Sequence, residues 1–435
     1  MITNINSLPI NSTRIHRVLL IMSFSPPYEE YSDKEYPTPH VWDTPQSKQV
    51  VIFGFDWQDL MLKALVEVSP ELVCEVWQPD LNADKEYWAT LQKGLVHRNF
   101  PAKRIKRIKR GKSVWEMYSS SILERVKKED APDTLFILPV NYLEKWGKDI
   151  IISVKCNPIL YCNFLNARLM LPNPIYMRNP LKMANRLLIN REKKTWLSRV
   201  KHLLIGISNP EAAEKLREMY PQMEMHSLRL GFDENYWKQV VEKDEARRLL
   251  GIPLEDYVIV LSQRLVPVYQ VDRFVEALSR VAVSKPFTCY VTGHGTRDYE
   301  RYLAQKIKEC NMEQAVSLVG RVPDHELRLY FIAADLFVAV PLVFGGSNGA
   351  VKCMALEKPI FHVESGFSYE FLKEHRAGVF VASTDYNGWT AALEDVINGK
   401  EIAVVPRKTV VDRFSWKAAG QELHNAIRQI EGTTR

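Results

Sequence analysis

Residues 250–392 alternate short apolar runs with helix-period segments, and this pattern constrains the chain more than any other feature. Val258–Leu265 reads as a buried strand, after which Val271, Phe274, Val275, Leu278 and Val281 recur at helical spacing. Phe287–Thr292 and Ala315–Val319 read as further strands, with helices over Asp298–Cys310 and Asp324–Ala334. Leu336–Val340 is a fourth strand, followed by the loop Phe344–Asn348 and a helix through Leu356. Pro359–Val363 and Gly378–Ala382 complete the set. Strands alternating with helices in this way predict a doubly wound parallel α/β sheet, which binds ligands outside the carboxyl ends of its strands.

The first half is less regular. Arg17–Met22, Gln49–Phe53, Leu72–Trp77, Thr134–Leu138, Ile159–Tyr161, His202–Ile207 and Met225–Leu230 read as strands. Ser208 and Glu211 have capping-box spacing for a helix through Met219. The long intervals between these strands carry no clear period. A chain of 435 residues suggests two or three domains, with the linker within Gly231–Lys243.

The ends of the later strands carry the candidate chemistry. The first is followed by Arg264, the second by Gly293-His294-Gly295, and the third by Gly320-Arg321-Val322. After the fourth come Gly345-Gly346-Ser347-Asn348-Gly349, directly before a helix. Glycines ahead of a helix N-terminus expose backbone N–H groups and the positive end of the dipole, which suits a diphosphate. Arg264 offers a permanently charged fork for the same phosphates. Each glycine alone also fits a tight turn between strand and helix, and Ser347 or Asn348 also fits a helix cap. Four such loops at one sheet edge favour a ligand.

In order and spacing, the segments "RLVPxxxVD", "VTGHG", "LVGRVPDHEL", "AADLFVAVP" and "MALEKPI" resemble the C-terminal domain of retaining glycosyltransferases of family four (glycosyl transferases group 1). The resemblance is strong over roughly 205–430 and only in outline before that. It implies the GT-B architecture, two Rossmann-like doubly wound domains facing each other across a cleft. The implied division is an acceptor-binding domain over 1–232, a nucleotide-sugar-binding domain over 233–410 and a closing helix over 411–435. It also implies that Arg264 binds the donor diphosphate. Gly293, His294, Gly295, Arg321 and Val322 would line the donor site, with Arg321-Val322 against the base. Gly346, Ser347, Asn348 and Gly349 would cradle the phosphates.

The sequence departs from that family at three places. The family's assisting lysine is Tyr269 here, and its paired glutamates are Phe344 and Lys352. An ammonium accepts no hydrogen bond from a ribose hydroxyl, so Lys352 is expected to meet a phosphate or a charged sugar instead. The family's N-terminal histidine falls near Tyr161–Phe164, where Cys162 and Asn163 stand; His40, His97 and His202 are possible substitutes. The implied reaction moves a sugar from a nucleotide diphosphate donor to a glycan or lipid-linked acceptor with retention. No cofactor or metal is expected, since no D-x-D motif is evident. A non-catalytic glycan- or partner-binding protein of the same fold is the alternative.

The charge is uneven. Residues 1–230 hold 33 Lys+Arg against 25 Asp+Glu, and the remainder 25 against 27. Lys103, Arg104, Lys106, Arg107, Lys109, Arg110 and Lys112 cluster just before Trp115 and Tyr118, and a second basic stretch runs over 178–201. This pattern fits a patch that docks on an anionic membrane surface, or a solvated face. No nucleic-acid-binding motif accompanies it, and no nucleic-acid partner is expected. The six cysteines lack metal spacing and read as free thiols. With no signal-peptide pattern and only the short apolar run Val18–Phe24 near the start, the expected location is cytoplasmic, peripheral on the inner membrane face.

Overall fold

Strand runs that are apolar at successive positions cannot leave one face wet, and both main sheets of this protein are covered on both faces. The computed structural model describes residues 14–22, 41–44, 47–51, 57–109, 112–139, 145–156, 158–162, single positions between 184 and 198, 200–206, 210–229, 231–283, 285–341 and 348–433. The chain forms two units, Met1–Gly231 with Trp416–Arg435, and Phe232–Ser415.

In the first unit the order is β1 (Arg17–Ile21), β2 (Val41–Thr44), β3 (Ser47–Val51), α1 (Trp57–Val68), β4 (Val73–Asp80), β5 (Tyr87–Gln92), β6 (Leu95–Pro101), β7 (Lys103–Lys109) and β8 (Lys112–Tyr118). It continues through α2 (Ser120–Glu129), β9 (Thr134–Pro139), α3 (Lys145–Ser153), β10 (Pro158–Cys162), β11 (His202–Gly206), α4 (Pro210–Met219) and β12 (Glu224–Leu228). Eight strands form one sheet in the order β12-β11-β10-β9-β1-β4-β6-β5. All pairs are parallel except β5 with β6.

The second unit runs α5 (Lys243–Leu250), β13 (Tyr257–Ser262), α6 (Val271–Leu278), β14 (Phe287–Thr292), α7 (Arg297–Glu309), β15 (Val316–Gly320), α8 (Asp324–Ala333) and β16 (Leu336–Ala339). Next come α9 (Asn348–Ala355), β17 (Ile360–Val363), α10 (Gly366–Glu374), β18 (Val379–Val381), α11 (Tyr386–Ile397) and α12 (Arg407–Phe414). Its sheet is parallel throughout. Asp335 anchors the amino end of β13, accepting from Val258 N at 2.8 Å, Arg247 at 2.6 Å and Lys243 at 2.8 Å.

The last helix, α13 (Trp416–Thr433), returns to the first unit. The closing helix expected over 411–435 is therefore two elements divided at Ser415, with 411–414 ending α12. Packing explains the split. Leu423, Ala426, Ile427 and Ile430 join the apolar cluster of Met61, Leu62 and Leu65. Gly420 lets the helix lie against α1, since a Cβ there would fall 2.6 Å from the carbonyl carbon of Ala64.

The interval 87–118 holds four strands that the sequence pattern did not signal. In KRIKRIK the apolar residues recur every third position, so the period-two signature of a strand is missing. The segment pairs with β8 as an antiparallel ribbon. Lys103, Arg104 and Lys106 are exposed; Lys103 and Arg104 point to opposite faces, so both sides of the ribbon meet water. The side chains of Arg107 and Lys109, and Arg110 altogether, lie outside the described residues. No described helix is long and apolar enough to cross a membrane. Among the described cysteines, Cys74, Cys156, Cys289, Cys310 and Cys353 are free thiols.

Candidate functional site

The second sheet has the order β15-β14-β13-β16-β17-β18, which in its own chain order is 3-2-1-4-5-6. The order reverses between β13 and β16, so the chain leaves these neighbouring strands toward opposite faces. The crevice outside such a switch point is where doubly wound sheets take ligands. The loop after β13 carries Arg264, and the segment after β16 leads into α9.

Backbone bonds stitch the rim together. Gln263 N donates to Thr292 O at 3.2 Å, Leu265 N to His294 O at 2.8 Å, and Gly293 N to Gly320 O at 2.7 Å. Gly293 and Gly295 are required by this closeness. A Cβ on Gly293 would lie 2.0 Å from Gln263 O, and one on Gly295 would lie 1.9 Å from Leu265 O. Gly293 also sits at φ +122°, which side chains rarely adopt. Gly295 N donates to Glu300 Oε1 at 2.7 Å, fixing the loop to the first turn of α7.

Arg264 is exposed on this rim, on a loop closed by Gln263 Nε2 donating to Tyr269 O at 2.8 Å. Half-buried His294, exposed Arg321 and half-buried Val322 follow the adjacent strands β14 and β15. Asn348 and Gly349 open α9, with Asn348 exposed. Gly346, Ser347 and Phe344 lie outside the described residues. The rim thus brings together Arg264, Gly293, His294, Gly295, Arg321 and Val322 on three neighbouring strand ends, with Asn348 and Gly349 beyond the fourth.

Lys352 has a different surrounding from the one its sequence position suggests. Its Nζ lies 4.0 Å from the centre of the Trp237 ring. Burial lowers its pKa, and Asp324 opposes that shift. Its cation rests on an aromatic face within the same unit. Among the histidines, His97 is buried between Asp59, 2.8 Å from Nδ1, and Gln78, 3.0 Å from Nε2, as part of the core of the first unit. His40, Asn163 and Phe164 lie outside the described residues, as does the Cys162 side chain.

One rim residue was missed by sequence reasoning. Gln270, 3% exposed and in the left-handed region at φ 49°, precedes α6. Its Nε2 donates to Val340 O at 3.3 Å and Ser383 O at 3.1 Å, while its Oε1 accepts from Tyr386 OH at 3.0 Å. It joins the loops that follow β13, β16 and β18. A lone glutamine between a tyrosine and a valine gives no local signal of this.

Residues 242–409 match the model of the family described as glycosyl transferases group 1. The second unit is a glycosyl transferases group 1 domain. The D-inositol 3-phosphate glycosyltransferase of Corynebacterium aurimucosum is 27% identical over 192 residues, 42% of this chain and 45% of that protein. TuaC of Bacillus subtilis, named provisionally as a teichuronic acid biosynthesis glycosyltransferase, is 28% identical over 134 residues, 31% of each chain. The matched regions thus span less than half of these curated relatives. Among solved structures, Anabaena HepE in complex with UDP and glucose matches at a TM-score of 0.62 and 14% identity, over 95% of this chain and 100% of that one. Sucrose-phosphate synthase from Thermosynechococcus elongatus matches at 0.64 and 13%, over 96% and 100%. At these identities the likeness is one of fold, and the fold is that of the GT-B glycosyltransferases. The family match spans the rim from β13 to β18.

Proposed function

We propose that the protein is a glycosyltransferase that moves a sugar from a nucleotide diphosphate-sugar to a glycan or lipid-linked acceptor, with retention, in cell-surface polysaccharide or glycolipid synthesis. The observation that carries this reading is the switch point of the second sheet. There the guanidinium of Arg264, the stitched glycine loops and the N-terminus of α9 follow neighbouring strands. The complex of Anabaena HepE with UDP and glucose, and the provisional naming of TuaC for teichuronic acid biosynthesis, support the donor and acceptor classes.

In the proposed mechanism Arg264 offsets the charge that builds on the leaving diphosphate. The first N–H groups of α9, at Asn348 and Gly349, add dipole and hydrogen bonds from a site already held in place. Arg321 and Val322 face the nucleoside, and Gly293, His294 and Gly295 border the sugar and phosphates. These groups supply the positive charge themselves, so turnover is expected without added divalent cation. The basic ribbon of β7 and β8 meets an anionic surface, bringing the enzyme to a lipid-linked acceptor.

Lys352 motivates the second reading, a non-catalytic binding protein, because a cation on Trp237 replaces the family's acceptor carboxylate. A thermal-shift panel of nucleotide diphosphates and nucleotide sugars, followed by product analysis with a mixed donor pool, tests both. Stabilisation with sugar transfer supports the enzyme. Stabilisation without transfer supports the binding protein, and no stabilisation overturns the donor site.

A further inference from the structure

A second cluster lies at the other rim of the first sheet, where β11 and β12 begin. The strands are parallel, with His202 opposite Glu224 and Leu204 opposite His226. Side chains alternate across a strand, so Glu224 and His226 share a face, and His202 joins them from the neighbouring strand. One ligand atom from each lies within 4.8 Å of the other two. The two imidazole centroids are 5.7 Å apart. Among the described residues this is the cluster whose ligand atoms approach this closely.

Among the described residues, two ring nitrogens of this cluster are buried without a hydrogen-bond partner. His226 is 6% exposed, and its Nδ1 lies 2.9 Å from Gln429 Oε1, an acceptor, so Nδ1 carries the proton. That assigns the lone pair to Nε2, which is buried with no hydrogen-bond partner among the described residues. Nδ1 of His202 is also buried without one; Glu224 Oε2 is 3.4 Å away, but the angle makes no hydrogen bond. Buried polar atoms left unpaired are costly, and two beside one carboxylate form a nitrogen–nitrogen–oxygen donor set.

We propose that His202, Glu224 and His226 bind a zinc ion, with water at the fourth position. Imidazole and carboxylate are ordinary zinc donors, at bond lengths of about 2.0–2.2 Å. Tetrahedral ligation at those lengths sets donor atoms roughly 3.3 Å apart, so zinc draws the cluster together modestly from its present span. Gln429 holds the His226 ring in its ligating tautomer, the usual outer-shell role. Gln429 lies on α13, so the ion fastens the edge strand β12 both to β11 and to the returning C-terminal helix. The site lies at the amino ends of the strands, away from the carboxyl-end rims that take substrates, and is independent of the proposed sugar transfer.

The test uses the untagged full chain, stripped with chelator and titrated with Zn²⁺, and with Co²⁺ as a spectroscopic stand-in. The expected result is one zinc per chain after dialysis and the strong visible absorption of four-coordinate cobalt. Glu224→Gln, at a side chain 45% exposed and so not needed for folding, removes that absorption and the bound zinc. Gln429→Ala leaves the site but weakens it on the order of 10- to 100-fold. His226→Gln is a supporting variant where it folds. Failure to retain zinc, or equal zinc affinity in Glu224→Gln, overturns the proposal. Arg264→Ala should not change zinc content, which separates this site from the donor site.

Discussion

The two large sheets share a pattern, with the chain order reversing at a central strand pair, yet their surroundings differ in kind. The second sheet's rim is built from backbone. Three interloop hydrogen bonds and two glycines hold Gln263, Leu265, Gly293 and Gly295 closer than any side chain permits. The first unit adds an antiparallel edge strand to its large sheet and a separate basic two-stranded ribbon, and the sheet's switch-point loops after β1 and β9 lie outside the described residues. Its unit carries the basic excess, 33 Lys+Arg against 25 Asp+Glu over 1–230. Under the proposed function, a diphosphate is the same anion in every donor, so one rigid cradle would suffice. Under the same proposal acceptors differ in size and charge, and the added strands and exposed cations of the first unit would meet them.

The comparison breaks most decisively at Arg264. Arg264→Ala is expected to lower turnover by roughly 10²–10³-fold, with stability changed by under about 0.5 kcal/mol because the side chain is exposed. Unchanged kcat/KM in an initial-rate assay refutes its role. The glycine rim comes next. Gly293→Ala meets a backbone oxygen at a positive φ and is expected to cost about 2–4 kcal/mol in urea unfolding. A cost below about 0.5 kcal/mol means that the rim is looser than described.

His362 gives a pH test of the second unit. It is buried, 2.8 Å from Ser368 Oγ, and burial lowers its pKa to about 4. The unfolded chain binds its proton near pH 6.5, so the stabilisation from keeping this ring neutral is complete above that and falls as pH drops toward 4. The full loss is of order 3 kcal/mol. His362→Gln is expected to flatten the thermal midpoint against pH across that window, and an unchanged profile refutes the assignment. Gln270→Ala removes three hydrogen bonds of a buried side chain and is expected to cost about 1–3 kcal/mol with weaker donor affinity, by denaturant titration and nucleotide binding. The smallest effect belongs to the first unit. Lys103→Glu, Arg104→Glu and Lys106→Glu should each weaken adsorption to anionic vesicles by about 1 kcal/mol, measured by sedimentation at fixed salt. Binding that ignores these changes assigns the ribbon to another role.

In the second unit, apolar runs at 258–265, 287–292 and 336–340 announced β13, β14 and β16, and glycines at their ends marked the rim. That pattern is local, because a strand buried on both faces must be apolar at successive positions. Over 87–118 it failed, because ribbon charges and an edge hairpin show no such pattern.

Sequence alone determined the second unit's alternation, its glycine-bearing turns, Arg264 and the uneven charge, all of which depend on neighbours within a few residues. Tertiary structure decided what depends on distant ones. It placed Lys352 on Trp237, made Gln270 a bridge among three loops, returned α13 to the first unit, and gathered His202, Glu224 and His226 with the support of Gln429. Chain folding, and no local spacing, sets which side chains meet across 115 and 203 residues of separation.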